Sequence, residues 1–357
     1  MKTKTAAAKQ PSDAGRSVAL GSFFDSTPFR ALICFVAPVT IFGLLLASEG
    51  KSVFETYKTI YFSIFGSVYG IGEVVIRATY LILTSIAAIL PARVGLANAG
   101  GEGQMAMGAV GTAVVGSTIF SRLVTPVGIP MMLLAGMFFG ALWAGIGIYC
   151  YMRLGMNETL TTILMNYIST FIIAMLLFGV LRDPKGWNYP QTVQIAKQLR
   201  FNMYFGTRMN VGIFIAIAMA FFVWFVINKT KAGFVIRTIG GNQNAARFAG
   251  INVKKVQALV FLAAGAVAGL AGAIMIVGVE GRMRTGAGET MGFMGFLAAG
   301  MVKNSPVLAI LSAFLIGALN VAGNSMEIKT GLPAASIQIL IMLVLLTIMT
   351  VGGKKKS

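Results

Sequence analysis

A few polar side chains interrupt an otherwise apolar sequence. Asn98, Glu102 and Gln104 lie in GLANAGGEGQMAMGA, residues 95–109, together with five glycines. An ionisable group inside a membrane costs about 2–3 kcal/mol on insertion scales and is a functional candidate by default. The glycines favour a bent or unwound helix, which a membrane tolerates only beside protein or a cavity. We therefore expect these side chains to line or brace a solute path, or Glu102 to cap a helix start through the helix dipole.

A second polar set recurs at helical spacing. Glu158, Thr162, Asn166 and Ser169 are separated by four, four and three residues, so they fall within about 80° of one helix face. In a membrane such a stripe faces other helices or water. Either it belongs to the translocation path, with Asn166 bonding a hydroxyl or a base edge, or it forms interhelical hydrogen bonds beneath an Asn157 cap.

Two apolar patterns have a functional and a packing interpretation. Phe293 and Phe296, with Met291 and Met294, could present an apolar surface to a sugar face or a base, or pack in the core. The run AAGAVAGLAGA, residues 263–273, places glycines at spacings that predict tight contact between helices.

The composition predicts an all-α, polytopic membrane protein. Hydrophobic residues make up 57% of the 357 and charged residues only 11%, against about a quarter charged in soluble domains. The net charge of +18 lies mainly between apolar runs, so it indicates topology rather than a nucleic-acid partner. Histidine is absent from the sequence, which removes the commonest metal ligand and acid–base group.

Ten membrane segments are expected, including broken or re-entrant ones, between a tail at 1–30 and a basic tail at 352–357. Both tails and the 229–255 loop are basic and are predicted to be cytoplasmic, whereas the count places the equally basic 182–208 loop outside. The eighth segment is short enough to be tilted, broken or re-entrant. The predicted segments are 31–48, 73–92, 104–120, 130–151, 159–181, 211–228, 256–279, 291–302, 306–323 and 333–351.

The 229–255 loop is predicted to contain a short helix. Gly240 and Gly241 are expected to break the chain, Asn242 to cap a short helix, and Gly250 to end it. Such a helix needs a partner surface, either a cytoplasmic motor domain or anionic lipid. The candidate coupling residues are Gly241, Asn242, Ala245, Ala246, Arg247, Phe248, Ala249 and Gly250. The chain has no phosphate-binding motif of the form GxxxxGK[ST], so another chain must hydrolyse ATP if ATP drives transport.

Four stretches carry a family resemblance. TKAGFVIRTIGGNQNAARFAGI resembles the cytoplasmic coupling loop of ABC importer permeases of the simple-sugar and branched-chain amino acid type. GLANAGGEGQMAMGA and NETLTTILMNYIS resemble segments of the nucleoside-type members, and GMVKNSPVLAILSAFLIGAL resembles their C-terminal helix pair. The chain is thus similar to permease subunits of the branched-chain amino acid and ribose permease superfamily.

The resemblance implies a type II ABC importer-like bundle in the bacterial inner membrane. The implied partners are ABC ATPases that use ATP and Mg²⁺, a second and non-identical permease, and an exported solute-binding (lipo)protein, while this chain binds no cofactor and performs no covalent chemistry. The implied solute is a nucleoside, with a simple sugar such as a pentose as the alternative. An ion-coupled transporter and a membrane-embedded enzyme are poorly supported, because titratable or clustered acid–base residues are scarce in the apolar segments.

Overall fold

The computed structural model describes residues 27–119, 127–333 and 335–353. Within these ranges the chain forms thirteen α-helices and no β-strand. The predicted tails, 1–30 and 352–357, lie largely outside the described residues. The helices are α1 Thr27–Ser48, α2 Val53–Phe65, α3 Val68–Ala92, α4 Gly101–Thr118, α5 Gly128–Leu154, α6 Glu158–Phe178, α7 Gly212–Lys229, α8 Lys231–Gly241, α9 Gln243–Phe248, α10 Val253–Met275, α11 Met291–Met301, α12 Leu308–Thr330 and α13 Ala335–Gly353.

The all-α membrane architecture predicted from composition is confirmed. Each of the ten predicted segments falls on a helix, and α3, α5, α6, α7, α10 and α12 are long and apolar enough to cross a membrane. The eighth segment, α11, has eleven residues and is about 16 Å long, roughly half the apolar thickness of a bilayer. Helices α2 and α8 were not predicted from the sequence, and the number and direction of crossings remain predictions.

The chain divides into two compact units. One unit contains α1 and the part of α13 from Ile339 onward, and the other runs from Phe54 to Gln338. The second unit contains every residue of the candidate site described below.

Two almost wholly buried helices, α3 and α10, organise the larger unit. Each is followed by an irregular connection, a shorter helix and a longer one: α3 by α4 and α5, and α10 by α11 and α12. The packing is exchanged between these sets, because α10 packs on α4 and α5 whereas α3 packs on α11 and α12. In transporters built from structural repeats, broken helices commonly lie at the interface between two sets of helices that pack on each other in this way.

The glycine-rich face of α10 packs as predicted. A Cβ atom on Gly269 would lie 2.1 Å from the carbonyl oxygen of Gly136, and one on Gly265 would lie 2.6 Å from that of Gly140. A Cβ atom on Gly272 would lie 2.0 Å from the carbonyl oxygen of Met105 on α4. Larger residues here would force the backbones of α10, α5 and α4 apart.

The long connection between α6 and α7 covers the end of α10. The last turn of α10 widens into a π-helix, Ile276–Glu280, which ends at Gly281 with a φ of +68°. The N–H of Ile195 donates to Gly281 O at 2.8 Å, and that of Phe201 donates to Val277 O at 3.0 Å. Backbone groups that the helix leaves free thus find partners. The 182–208 loop and the end of α10 must therefore lie on one side, as the count of crossings requires.

Candidate translocation site

Residues 93–100 form an irregular and largely buried connection between α3 and α4, called here the α3–α4 break. Gly95 has a φ of +75°, a conformation that glycine adopts without strain. The glycines of this stretch predicted such an interruption. Backbone groups in it lack helical partners, so buried side chains must satisfy them.

The side-chain amides of Asn98 and Gln104 stabilise the α3–α4 break by hydrogen bonding to each other. The Nδ2 of Asn98 donates to Oε1 of Gln104 at 3.0 Å, and Nε2 of Gln104 donates back to Oδ1 of Asn98 at 3.0 Å. Asn98 also donates to the carbonyl of Ala87 and accepts from the N–H of Gly100, both at 3.1 Å. The two side chains are 1% and 2% exposed, so their hydrogen bonds brace α3 against α4 inside protein.

The polar stripe of α6 lies against the same break. Asn166 accepts from the N–H of Gly103 and donates to the carbonyl of Ala99, both at 2.9 Å. Thr162 accepts from the N–H of Ala99 at 3.3 Å and donates to the carbonyl of Glu158 in the first turn. Thr162 and Asn166 of the stripe therefore face protein and form interhelical hydrogen bonds, one of the two alternatives for this stripe, whereas Ser169 lines a cavity described below.

Glu102 connects the two short helices, α4 and α11. It lies in the first turn of α4, and the backbone N–H groups of Thr290 and Phe293 at the start of α11 lie near its carboxylate. The helix dipole favours a negative charge at this position. A Cβ atom on Gly292 would lie 2.0 Å from the Glu102 nitrogen, so the N-termini of α4 and α11 meet with their backbones in contact.

Phe293 and Phe296 differ in their surroundings. Phe296 packs against a buried cluster formed by Ala88, Ile89, Ala299 and Ala309. The side chain of Phe293 is 42% exposed. Neither phenylalanine lines the polar chamber described next, but Met291 does.

Open cavities lie on both sides of the segment 286–289. The first, the methionine cavity, has about 120 Å³. Its lining includes the apolar residues Met105, Met283, Ile173 and Ala174 and the polar residues Glu102, Ser169 and Glu289. The second, the polar chamber, consists of two adjoining spaces of about 200 and 180 Å³ that share three lining residues. Those residues are Arg77, Glu289 and Met291.

The polar chamber contains charged residues that the sequence analysis missed. Glu73 and Arg208 form a bidentate ion pair, in which Nε of Arg208 lies 2.8 Å from Oε1 of Glu73. The hydrogen bond to Glu73 raises the pKa of the Arg208 guanidinium above its ordinary value. Glu73 and Arg77 both lie within the predicted segment 73–92, and ionisable residues in an apolar segment are the signal that could have found them.

The coupling segment is more helical than predicted. Gly240 and Gly241, which were expected to break the chain, are the last two residues of α8, and the chain leaves the helix directly after them at Asn242. A Cβ atom on Gly240 would lie 2.3 Å from the carbonyl oxygen of Arg93, which makes this glycine a contact with the α3–α4 break. The Nε2 atom of Gln243, on α9, similarly lies over Gly95.

The cap and the end of α9 agree with the sequence prediction. Asn242 accepts from the N–H groups of Asn244 and Ala245 at 2.9 and 3.1 Å. The helix ends at Phe248, and Gly250 has a φ of +78°. Ala246 is buried while Phe248 is 93% exposed, so α9 presents Arg247 and Phe248 on an open surface.

A bundle of apolar helices around two interrupted ones, with cavities at the interruptions and an exposed helix beside one of them, defines a membrane transport subunit. The family model described as the branched-chain amino acid transport system permease component matches residues 70–350. The chain belongs to this family. An ABC permease functions with an ATPase and a binding protein, and it is a transport subunit rather than an enzyme.

Several characterised proteins resemble the chain over most of their length. A glucose ABC transporter permease of Haloferax volcanii is 30% identical over 89% of this chain and 86% of its own. A guanosine ABC transporter permease of Bacillus subtilis is 31% identical, with coverages of 88% and 91%. A nucleoside ABC transporter permease of Lactococcus lactis is 28% identical, with 86% of each chain covered. No solved structure matches the chain.

The bonds of Asn166 give a prediction about stability. Asn166→Ala leaves the N–H of Gly103 and the carbonyl of Ala99 without their partners, so we expect the free energy of unfolding to fall by about 1–3 kcal/mol. Thermal unfolding of the purified protein in detergent measures this, with Leu164→Ala, on the same helix and 46% exposed, as the control. An unchanged melting temperature combined with lost uptake would instead assign Asn166 to solute contact.

Proposed function

We propose that this chain is the permease subunit of a binding-protein-dependent ABC importer that carries a nucleoside across the inner membrane. ATP hydrolysed with Mg²⁺ by partner ATPases drives the transport. A second permease, a non-identical relative, completes the pathway, and an exported solute-binding protein delivers the solute. Both termini of this chain are cytoplasmic.

The juxtaposition of two unlike cavities carries this proposal. The methionine cavity offers thioether and aliphatic groups, which adapt to a flat apolar ligand and contact aromatic rings favourably, next to the side chains of Glu102 and Glu289. The polar chamber offers the charged and amide groups of Arg77, Glu289 and Asn320. A nucleoside has the same division, with a flat base at one end and a hydroxylated sugar at the other.

The relatives support the same choice without fixing the solute. Two of the three described above are named for guanosine or nucleosides. The glucose permease favours the alternative solute, a simple sugar such as a pentose. Membership in the permease family favours ATP over an ion gradient as the energy source.

Contacts of α8 and α9 suggest how movement reaches the solute path. A motor domain bound at Arg247 and Phe248 moves α9, whose Gln243 lies over Gly95 of the α3–α4 break. The amide pair of Asn98 and Gln104 then connects the break to α4. Because the start of α4 touches Gly292 of α11, a shift of the break changes the junction between the two cavities.

Uptake into vesicles tests the proposed function. The chain, purified with its native partners, is reconstituted and offered radiolabelled nucleosides and pentoses, with ATP, without ATP, or with a non-hydrolysable analogue on the cytoplasmic side. We expect nucleoside uptake only with hydrolysable ATP. Uptake of pentoses alone would move the solute to the alternative, and uptake that ignores ATP but follows an ion gradient would contradict the proposed mechanism.

The exposed end of α9 gives a prediction about coupling. Arg247→Glu combined with Phe248→Ala is expected to lower ATP-driven uptake by about tenfold or more, since coupling free energies of 1–3 kcal/mol correspond to roughly 5–150-fold. The melting temperature of the isolated chain should not change, because Arg247 and Phe248 are both exposed. Phe234→Ala, which removes a 62% exposed phenylalanine from α8, is the control. Normal coupled uptake in the double variant would refute the docking role of α9.

A further inference from the structure

Two buried polar groups of the polar chamber have no hydrogen-bond partner among the described residues. They are the hydroxyl group of Tyr80 and the Nε atom of Arg77, one turn apart on α3. The Tyr80 side chain is only 7% exposed, and both residues line the chamber. A buried donor that stays unpaired costs about 1–3 kcal/mol, so two such groups beside one space indicate that a ligand satisfies them.

The charges around these groups balance. Glu73 is paired with Arg208, and Glu280 is paired with Arg284. Arg77 and Glu289 remain, one positive and one negative, with no ion pair to each other or to other described residues. A phosphate or a cation bound here would unbalance the chamber, whereas a neutral solute would not.

The remaining polar groups can both donate and accept. The second space of the chamber places the amides of Asn320, Asn324 and Gln338 with Arg77 and Glu289. A guanidinium donates only, a carboxylate accepts only, and amides and a phenol do both. Neighbouring hydroxyl groups of a sugar match this set, since each hydroxyl is also a donor and an acceptor.

We infer that the polar chamber is a binding site for the vicinal hydroxyl groups of the solute's ribose, with Tyr80 and Arg77 as the residues that recognise them. This inference rests on the proposed function, because the base then occupies the methionine cavity on the other side of segment 286–289. It goes beyond that function in naming the sugar hydroxyls, rather than the base or a phosphate, as what the permease itself selects.

Direct binding to the permease tests the inference. The complex of this chain with its ATPase and second permease, without binding protein, is titrated with adenosine, guanosine, cytidine, uridine, their 2′,3′-dideoxy counterparts, free ribose and the nucleoside monophosphates. Omitting the binding protein removes its own selectivity. We expect ribonucleosides to bind more tightly than the dideoxy compounds and the monophosphates not to bind.

Two variants on α3 make the test specific. Tyr80→Phe removes one hydroxyl group, and Arg77→Lys removes Nε while keeping the charge; each is expected to weaken ribonucleoside binding about two- to tenfold and to leave dideoxynucleoside binding unchanged. Tyr69→Phe is the matched control, because Tyr69 lies on the same helix and is 53% exposed. Melting temperatures verify folding, and Arg77→Lys decides the question if Tyr80→Phe does not fold.

The outcomes separate the inference from the proposed function. Unchanged ribonucleoside affinity in a folded Tyr80→Phe or Arg77→Lys variant overturns the hydroxyl site while nucleoside transport stands. Binding of ribose as tight as that of ribonucleosides, and sensitive to both variants, supports the hydroxyl site but moves the transported solute to a sugar. A wild-type complex that binds neither nucleosides nor ribose overturns both.

Discussion

Free backbone groups in the α3–α4 break are the constraint on which the rest of the site depends. A bilayer offers no water to an interrupted helix, so each exposed N–H and carbonyl group must find a partner in the protein. Asn98 within the break and Thr162 and Asn166 on α6 supply such partners. Gln104 on α4 holds the Asn98 side chain in place through two side-chain hydrogen bonds. The side chains that look most like solute ligands in the sequence thus stabilise the opening, and the cavities form beside them.

The connection between α10 and α11 meets the same constraint differently. Its backbone is satisfied by the long loop before α7, through bonds such as those of Ile195 and Phe201. One interruption is therefore held by side chains next to the coupling helices, and the other by a loop on the opposite face. This difference fits an importer in which the motor moves the first interruption while the second holds the polar chamber in place.

The sequence was sufficient for features that depend on local spacing. Apolar runs located the ten segments, the glycines located the α3–α4 break, and Asn242 and Gly250 marked the ends of α9. The close contact of Gly240 was not predicted, because a glycine near the end of a helix and a glycine that allows a close contact cannot be distinguished in one sequence. Its contact with Arg93 depends on a segment far away in the chain.

The residues that line the polar chamber could not be identified as neighbours from the sequence alone. Arg77, Glu289 and Asn320 lie on α3, before α11 and on α12, and only the exchanged packing of the two helix sets brings them together. Glu73 and Arg77 were nevertheless visible as charges in an apolar segment. The identity of their partners, and which donors remain unpaired, depends on tertiary structure.

The central claim, that the solute occupies the cavities on the two sides of segment 286–289, is tested most directly by thiol protection. Cys34 and Cys150 are replaced, Ala287→Cys is introduced in the cavity lining, and modification by a membrane-impermeant thiol reagent is timed in the reconstituted importer. Trp187→Cys, in the loop between α6 and α7 that is predicted to lie outside and at a 98% exposed position, is the reference. The account predicts that transported nucleoside slows modification at 287 several-fold and leaves 187 unchanged. Equal rates at 287 with and without a solute that is being transported would contradict it.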